Sequence, residues 1–434
     1  MLDINFITKN PDKVKEACKN KQLDPSVVDR LLRVDKQRKQ LIIDIEKLRK
    51  QRNSLMEGVK NKPSDEVIEK GKKLKSLLLR LEPDLRTVEE EFRNLMLQLP
   101  SVPDKSVPIG KDESGNKEIK KWGKIPKFDF KQKDHIQLAE DLDLIDFKRG
   151  AKVGGFRGYF LKNEAVLLHL GVMFYALQKL IEKGFTPFIP PILCKEFSFI
   201  NTGHFPWGKT EAFKTSAGKK SEDQRWLAGT AEVPLVSYNS GEILNEKDLP
   251  NKYAGFSSCY RREIGNYGKD SKGIYRIYEF MKIEQVILCV NDMKESEKWL
   301  EKLLKNSEEI LQELELPYRV MLMCTGDMGE PHVKKYDVET WMPGRKAYGE
   351  TMSDSIMGDF QSRRANIKYR TKDGKLKYVH MLNNTAIASP RILIAILENN
   401  QTKEGWVRVP KVLQPYVGKE IIKPSSSRHP EGKA

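Results

Sequence analysis

The apolar residues of the N-terminal quarter of the chain follow the spacing of a coiled coil. They alternate steps of three and four residues, with two arginines in the series, at Leu31, Val34, Arg38, Leu41, Ile45, Leu48, Arg52 and Leu55. After an interruption that contains Pro63, the pattern resumes at Leu74, Leu78, Leu81, Leu85, Val88, Phe92 and Leu95. This spacing puts apolar side chains on one face of a helix. The sequence therefore predicts two long helices that fold back as a hairpin within residues 27–98, with a bend near Leu81 because Pro83 removes a helix hydrogen bond.

The remaining chain divides by its pattern into further parts. The hairpin belongs to an N-terminal domain over residues 1–103, and the stretch 104–124, with prolines and glycines followed by lysines, is predicted to be a linker. From 125 to 424 apolar strands alternate with helices such as Glu164–Lys183 and Asp292–Leu314, which indicates an α+β domain. The polar tail 425–434 is predicted to be disordered.

Two apolar flanks, Tyr253–Cys259 and Ile283–Val290, predict strands joined by a long loop whose backbone freedom comes from Gly265, Gly268 and Gly273. Arg261 and Glu263 are two residues apart and are expected to project from the same face of the first strand. A guanidinium can hold a phosphate, and a carboxylate can accept from an exocyclic amine. From spacing alone, a surface hairpin with an Arg–Glu pair in water is an equal alternative.

A second segment, residues 382–401, also favours an anion site. We expect a polar turn at Asn383, Asn384 and Thr385, followed by an apolar helix that begins at Pro390 and Arg391. An arginine at a helix N-terminus adds to the positive potential there, which favours a bound phosphate.

Composition excludes several classes of protein. The chain has 434 residues and a net charge of +16, and its five cysteines are scattered without a C-x-x-C pair. We expect neither disulfides nor a cysteine-rich zinc site. We find no apolar stretch near the ~20 residues of a membrane helix, and no secretory signal in the start MLDINFITKN. The sequence thus predicts a cytoplasmic protein that does not enter a membrane.

The positive charge is concentrated at the distal end of the predicted hairpin. Ten basic residues face four acids there: Lys47, Arg49, Lys50, Arg52, Lys60, Lys62, Lys70, Lys72, Lys73 and Lys75 against Glu57, Asp65, Glu66 and Glu69. Clustered lysines and arginines at a reachable end are typical of phosphate-backbone contacts. A solvated coiled coil that mediates protein contacts is the alternative reading of the hairpin by itself.

Eight segments carry a family resemblance when they are taken in order. They are GFTPFIPPIL (Gly184–Leu193), GTAEVPL (Gly229–Leu235), YRREIGNYGKDSKGIYRIYEF (Tyr260–Phe280), KIEQ (Lys282–Gln285), GDMG (Gly326–Gly329), YDVETWMPG (Tyr336–Gly344), YGETMSDSIMGDFQSRR (Tyr348–Arg364) and SPRILIAILEN (Ser389–Asn399). With them the chain, from its first residues to about Pro424, resembles the class II aminoacyl-tRNA synthetases and, among these, the bacterial type of seryl-tRNA synthetase.

The resemblance implies a fold and an assembly. We expect an antiparallel catalytic sheet of six or seven strands flanked by helices, with an N-terminal coiled-coil hairpin that grips tRNA. We also expect a homodimer built around the segment with Pro187, Pro190 and Pro191. A simple edge strand, in which the prolines limit further pairing, is the less favoured alternative.

The resemblance also implies a ligase that converts serine and ATP to seryl-adenylate and transfers serine to the 3′ end of tRNA(Ser), with tRNA(Sec) as a further acceptor. Such chemistry needs charge neutralisation and alignment rather than a protein nucleophile. Two rivals share the core: an amino acid:carrier-protein ligase with a zinc site, and a non-catalytic tRNA-binding paralogue. The long arm argues against the first, and the charged residues of the motifs argue against the second.

Carried across by motif, the resemblance implies roles for individual residues. Arg261 would hold the α-phosphate and the serine carboxylate, and Arg391 and Glu350 complete the catalytic set. The expected nucleotide contacts are Arg261, Arg262, Glu263, Arg276, Ile277, Phe280, Glu350, Thr351, Met352, Ser353 and Arg391. The expected serine contacts are Thr230, Ala231, Glu232, Arg261, Glu284 (the ammonium) and Thr385 (the hydroxyl). Glu350 and Ser353 would hold Mg²⁺ with ATP, and no zinc is expected.

Overall fold

The structure is a computed structural model that describes residues 1–57, 63–216, 224–264 and 272–424. It divides into two compact units, Met1–Val102 and Pro103–Ala434. Several residues named above lie outside the described residues: Lys60, Lys62, Gly265, Gly268 and the tail 425–434.

The N-terminal unit is helical. Its helices are α1 (Ile4–Lys9), α2 (Pro11–Asn20), α3 (Ser26–Met56) and α4 (Asp65–Leu97). The last two run antiparallel, because Arg30 pairs with Glu91 at 2.6 Å near their base and Arg49 pairs with Glu82 at 2.8 Å farther out. The predicted hairpin is therefore confirmed.

The seam of the hairpin is the apolar series of the sequence. Ile45 is 2% exposed and Leu78 is 4% exposed, whereas Ile43 on the outer face is 57% exposed. The seam arginine Arg38 packs its guanidinium 4.5 Å from the ring centroid of Phe92 and donates to the Asp35 carboxylate at 2.9 Å. Helix α4 continues through Pro83, so the bend near Leu81 stays a prediction.

The C-terminal unit is an α+β domain, as predicted. Its helices are α5 (His135–Asp141), α6 (Phe147–Gly154), α7 (Glu164–Glu182), α8 (Glu196–Thr202), α9 (Glu232–Ser237), α10 (Met293–Glu313), α11 (Phe360–Ala365), α12 (Arg391–Asn399) and α13 (Gln414–Val417). Its strands are β1 (Lys117–Trp122), β2 (Ile145–Asp146), β3 (Phe160–Leu161), β4 (Thr186–Phe188), β5 (Leu193–Cys194), β6 (Trp226–Leu227), β7 (Ile243–Asn245), β8 (Asn251–Tyr260), β9 (Glu279–Cys289), β10 (Tyr318–Leu322), β11 (Lys334–Met342), β12 (Ala347–Gly358), β13 (Lys368–Arg370), β14 (Leu376–Tyr378), β15 (His380–Ser389), β16 (Val407–Arg408) and β17 (Ile421–Ile422).

The main sheet joins eight strands of the described chain in the order β1-β10-β11-β12-β15-β9-β8-β4. All neighbours are antiparallel except β4 and β8, which are parallel. The sheet is one or two strands wider than expected. The extra edge strand is β1, which lies in the stretch interpreted as a linker and pairs with β10.

Two local predictions were wrong. Residues Asn383–Thr385 do not form a turn but lie in the interior of β15, where the described chain buries all three side chains. Arg261 and Glu263 do not lie in a strand, because β8 ends at Tyr260 and Glu263 has a left-handed backbone with φ of 51°.

Helix α7 qualifies the prediction about membrane helices. Among the described residues it alone has the length and mean hydropathy of a membrane span. The evidence for a span is weak, because Leu168, Val172, Ala176 and Leu180 on one face of α7 are buried in the core of this unit.

Candidate functional site

The C-terminal unit encloses a cavity of about 340 Å³ where β8, β9, β12 and β15 meet the start of α12. The predicted serine- and nucleotide-site residues that line it are Thr230, Glu232, Arg261, Glu263, Arg276, Ile277, Phe280, Glu284, Glu350, Thr351, Met352, Ser353, Thr385 and Arg391. The fold thus brings together residues that are up to 161 positions apart in sequence, from Thr230 to Arg391.

Two predicted contacts lie outside this lining. Ala231 is 1% exposed and packs in a small apolar core with Leu235 and Val236. Arg262 is exposed, and its Nη1 donates to the carbonyl oxygen of Thr210 at 3.1 Å. Arg262 follows Arg261 where the chain leaves β8, so the two side chains diverge.

The two predicted catalytic arginines share the cavity. Arg391 donates from Nη1 to Glu350 Oε2 at 3.0 Å and from Nε to the carbonyl oxygen of Tyr275 at 3.1 Å. Arg261 donates to the carbonyl oxygen of Gly229 at 3.3 Å, and its guanidinium lies 5.3 Å from the ring centroid of Phe280. At the start of α12, Arg391 is thus paired with the Glu350 carboxylate, and the phosphate predicted there stays a prediction. Burial alone would raise the pKa of Glu350, but the charges of Arg391 and Lys335 outweigh it and hold that pKa at about 2.

Glu263 and Arg276 form a pair at the same cavity, with Arg276 Nη1 3.2 Å from Glu263 Oε2. Glu263 has a left-handed backbone where the chain leaves β8, and its carboxylate lies against this arginine. Both groups are charged, so the pair can exchange its internal contact for contacts with a polar ligand.

One end of the cavity holds a buried network of Lys282, Glu284 and Thr385. Lys282 forms an ion pair with Glu284 and donates to Thr385 Oγ1 at 3.4 Å. Thr385 Oγ1 in turn donates to Glu284 Oε2 at 3.3 Å. Burial raises the pKa of Glu284, and the Lys282 charge opposes that shift. The carboxylate that was expected to bind an ammonium already has a cation beside it.

Lys282 received no role in the sequence analysis, although it stands in the KIEQ segment. The sequence did contain a signal for its location beside Glu284, because residues 282 and 284 of a strand project from the same face.

Glu232 is the second buried carboxylate of this region, and it is held differently. Its Oε1 accepts from Gln361 Nε2 at 2.7 Å and from Asn383 Nδ2 at 2.9 Å. Burial raises the pKa of Glu232, and the hydrogen bond from Gln361 opposes that shift. Within the described part of the chain, no lysine, arginine or histidine forms an ion pair with it.

Sequence reasoning also missed His204 and the pair Lys335 and Asp337. His204 lines the cavity with Nδ1 2.8 Å from Thr202 Oγ1, and burial, aided by the charges of Arg261 and Lys282, lowers its pKa to about 4. Lys335 also lines the cavity and lies 3.0 Å from Asp337, whose pKa burial raises to about 7 against the Lys335 charge. The sequence around His204 and Lys335 has no local pattern that would predict a position in the cavity, because the histidines are dispersed and the lysine stands alone.

The expected Mg²⁺ ligands Glu350 and Ser353 both line the cavity. Over residues 1–57, 63–216, 224–264 and 272–424, no three His, Cys, Asp or Glu side chains group in a way that could hold a metal ion by themselves. A metal here would need ligands from a substrate or from water.

The predicted basic arm is exposed where it is described. Lys47 and Lys50 of α3 and Lys70 and Lys73 of α4 line one groove along the hairpin, with Leu55 and Leu74. Arg49 pairs with Glu82 and Lys70 pairs with Glu66, but the described chain offers no ion-pair partner within 4.0 Å to Lys47, Lys50, Arg52, Lys72, Lys73 or Lys75.

Comparison with known proteins covers both units. Residues 1–103 match the model of the seryl-tRNA synthetase N-terminal domain, and residues 213–400 match the class II tRNA synthetase core domain for G, H, P, S and T. The chain is 45% identical to serine–tRNA ligase of Deinococcus radiodurans over 97% of its length and 99% of that relative. It is 42% identical to the enzyme of Dictyoglomus thermophilum over 98% of its length and 100% of that relative.

Solved structures agree with these relatives. Seryl-tRNA synthetase of Pyrococcus horikoshii, complexed with ATP, matches with a TM-score of 0.90 and 39% identity over 98% of this chain and 100% of that chain. The cytoplasmic serine–tRNA ligase of Naegleria fowleri, in complex with AMP, matches with a TM-score of 0.87 and 29% identity over 98% of this chain and 99% of that chain.

Proposed function

The chain belongs to the seryl-tRNA synthetase family, and on this premise we propose that it activates L-serine with ATP and transfers the seryl group to the 3′ end of tRNA(Ser). The observation that carries the proposal is that one cavity is lined both by Arg261 and Arg391 and by the buried carboxylates of Glu232 and Glu284. The carrier-protein ligase and the non-catalytic paralogue are not favoured, because the relatives match both units over almost their full length.

In the first step an oxygen of the serine carboxylate attacks the α-phosphorus of ATP, and the bond from that phosphorus to the bridging oxygen breaks to release pyrophosphate. Negative charge develops on the phosphoryl oxygens, where a fixed guanidinium such as Arg261 or Arg391 stabilises it. In the second step a ribose hydroxyl of tRNA attacks the carbonyl carbon, and AMP leaves with the electrons of the broken bond. Neither step requires a nucleophilic side chain.

Nucleotide contacts follow from the lining of the cavity. Phe280 presents its ring to one side of the proposed adenine position, Glu263 offers an acceptor for the exocyclic amine, and Arg276 offers a cation for the terminal phosphates. The pairs Arg391–Glu350 and Arg276–Glu263 would loosen as phosphate oxygens compete for the guanidinium groups.

Glu350 and Ser353 fit a Mg²⁺ ion that arrives with ATP. Both offer oxygen donors, which this ion prefers, and Glu350 stays ionised at neutral pH because its pKa is about 2. Two protein ligands leave the other positions to phosphate oxygens and water. The ion, when bound, would neutralise phosphate charge.

In the proposed serine pocket, the two buried carboxylates would bind different groups of the substrate. Glu284 already has Lys282 as its cation and accepts from Thr385, so this network suits the substrate hydroxyl. Glu232 has amide donors and, among the described residues, no ion-pair partner within 4.0 Å, so it suits the substrate ammonium. This arrangement reassigns the ammonium from Glu284, its expected partner, to Glu232. Alanine has no hydroxyl to bond to this network and would place a methyl group against a charged pair, which gives a physical reason for its rejection.

The proposal extends to a homodimer in the cytoplasm. Strand β4 is one of the two edge strands of the sheet, and exposed apolar side chains lie on α7 before it and in the residues from Ile189 to α8 after it: Phe174 at 48%, Ile181 at 45%, Ile189 at 86%, Leu193 at 54% and Phe197 at 48%. An exposed apolar surface of this kind supports a protein interface. The exposed lysines of the arm support tRNA as the polyanionic partner. Parallel charging assays would test tRNA(Sec) beside tRNA(Ser).

ATP–pyrophosphate exchange with each of the twenty amino acids tests the activation step. We expect exchange with serine alone, and we expect Arg391→Ala to reduce it by at least about 100-fold, because a fixed cation at the phosphates is lost. Arg370→Ala, at an exposed position outside the cavity, is the matched control and should keep the wild-type rate. Exchange with another amino acid in place of serine would falsify the substrate assignment.

A further inference from the structure

We propose that Gln361, assisted by Asn383, is a positioning residue that keeps the Glu232 carboxylate charged and directed at the ammonium of the amino acid. The inference rests on the proposed function, since it concerns how that site binds serine. Gln361 lies in the segment FQSRR, to which the sequence analysis gave no role.

The geometry fixes which way the Gln361 amide points. The side chain is fully buried on α11, and its Nε2 donates to Glu232 Oε1 at 2.7 Å and to the carbonyl oxygen of Thr202 at 3.0 Å. Both neighbours are acceptors, so only the NH₂ group can face them. The amide oxygen has no hydrogen-bond partner among the described residues, so the orientation costs the protein an unpaired acceptor.

Asn383 donates to the same carboxylate oxygen from another element. Its Nδ2 reaches Glu232 Oε1 at 2.9 Å from strand β15, so donors from α11 and β15 converge on one atom. The described chain provides no hydrogen bond to the other oxygen, Oε2. Because one oxygen is held from two sides, the carboxylate plane is set and Oε2 is left for a ligand.

The two donors to Glu232 are neutral amides, and they affect the charge of the site differently from a cationic donor. Amides stabilise the ionised carboxylate without cancelling its charge, whereas Lys282 compensates the charge of Glu284. The charges of Lys282 and Arg261 act on Glu232 only from beyond ion-pair distance. A buried anion without a contacting cation is costly, and the ammonium of an amino acid would reduce that cost on binding. The amide pair thus makes Glu232 a specific acceptor for a cationic ligand group.

The test is steady-state ATP–pyrophosphate exchange with the full-length protein. Gln361→Met keeps the volume of the side chain and removes the donor, and we expect the KM for serine to rise about 10- to 100-fold because a hydrogen bond to a charged group is lost. The KM for ATP should stay within about threefold. The KM for serine of the variant should also rise as pH falls from 8 to 6, since Glu232 then protonates more readily, whereas the wild-type value should change little.

Gln361→Lys separates charge from hydrogen bonding. It retains a donor but adds a cation, so we expect a rise in the KM for serine at least as large as for Gln361→Met. In a Glu232→Gln background, Gln361→Met should cost little more than Glu232→Gln alone, because the two residues act as one unit.

Asn384→Ala is the matched control in the same strand as Asn383. Asn384 is fully buried, contacts Gln285 and Ser307, and does not line the cavity. Its loss should lower stability without changing the KM for serine. An unchanged KM for serine in Gln361→Met, or equal rises in the KM for serine and for ATP, would overturn the proposal. No exchange with serine by the wild-type protein would instead overturn the proposed function.

Discussion

His204 is a histidine that the fold keeps neutral inside a cationic cavity. Burial and the charges of Arg261 and Lys282 lower its pKa from 6.5 to about 4. The unfolded state therefore takes up a proton at a higher pH than the folded state does, so stability present above pH 6.5 is lost as pH falls toward 4. A half-buried histidine that the fold keeps neutral in this way makes the protein sensitive to mild acid.

We predict that His204→Gln reduces this acid sensitivity. Between pH 7 and pH 5 the wild-type protein should lose up to about 2 kcal/mol more stability than the variant does, since one pKa unit corresponds to about 1.4 kcal/mol. Urea denaturation midpoints of the two proteins at both pH values measure the difference. Parallel loss of stability in the two proteins would contradict the prediction.

At the same scale, charged motif residues were predictable and their partners were not. Arg261, Glu284 and Arg391 stand in segments with a distinctive order, so the sequence alone placed them in one site. Gln361 and His204 contact that site only because α11 and the end of α8 approach it in the fold. No local pattern encodes such an approach.

At the scale of the element, the coiled-coil hairpin offers a test of whether the apolar series in the sequence determines which side chains pack between its two helices. Ile43 and Ile45 have the same side chain two positions apart on α3, yet they are 57% and 2% exposed. We predict that Ile45→Ala lowers the free energy of unfolding of the helical unit by about 2–4 kcal/mol, because it opens a cavity in the seam. Ile43→Ala should change it by no more than about 0.5 kcal/mol.

Thermal and urea denaturation of the full-length Ile45→Ala and Ile43→Ala variants measures the two changes in the free energy of unfolding. Circular dichroism at the wavelengths of the helix signal follows the unfolding. Similar destabilisation by both substitutions would mean that α3 has another partner surface. A small effect of Ile45→Ala would mean that the hairpin collapses to fill the space.

The hairpin was predictable because its signal is local and repeats over many turns. Strand β15 was mispredicted at Asn383–Thr385 because polar residues in succession usually mark a turn. In the fold, Asn384 accepts from Gln285 and Ser307 while Asn383 donates to Glu232, so β15 makes side-chain hydrogen bonds on both faces. Strand β1 was missed because its side chains are mostly exposed, and its pairing with β10 cannot be read from an alternating pattern.

At the scale of the whole molecule, the proposed activation site and the proposed tRNA-binding arm belong to two different compact units. The helical unit has its own apolar core, which includes Ile7, Leu31, Val88 and Leu95. The cavity is lined entirely by residues of the unit Pro103–Ala434. Amino acid activation and tRNA binding should therefore respond independently to substitutions.

The groove lysines of the arm provide the test of that independence. We predict that Lys50→Ala combined with Lys73→Ala lowers the kcat/KM for tRNA at least about tenfold while serine-dependent exchange stays within about twofold, because phosphate contacts are lost from a unit that contributes no residue to the cavity. The dependence of tRNA affinity on salt should weaken by roughly one unit of slope for each lost contact.

Lys372→Ala combined with Lys377→Ala removes the same charge from exposed positions of the other unit and should leave the salt slope unchanged. Equal losses in both double variants would assign the effect to net charge, and a parallel loss of exchange would assign the arm a role in activation as well.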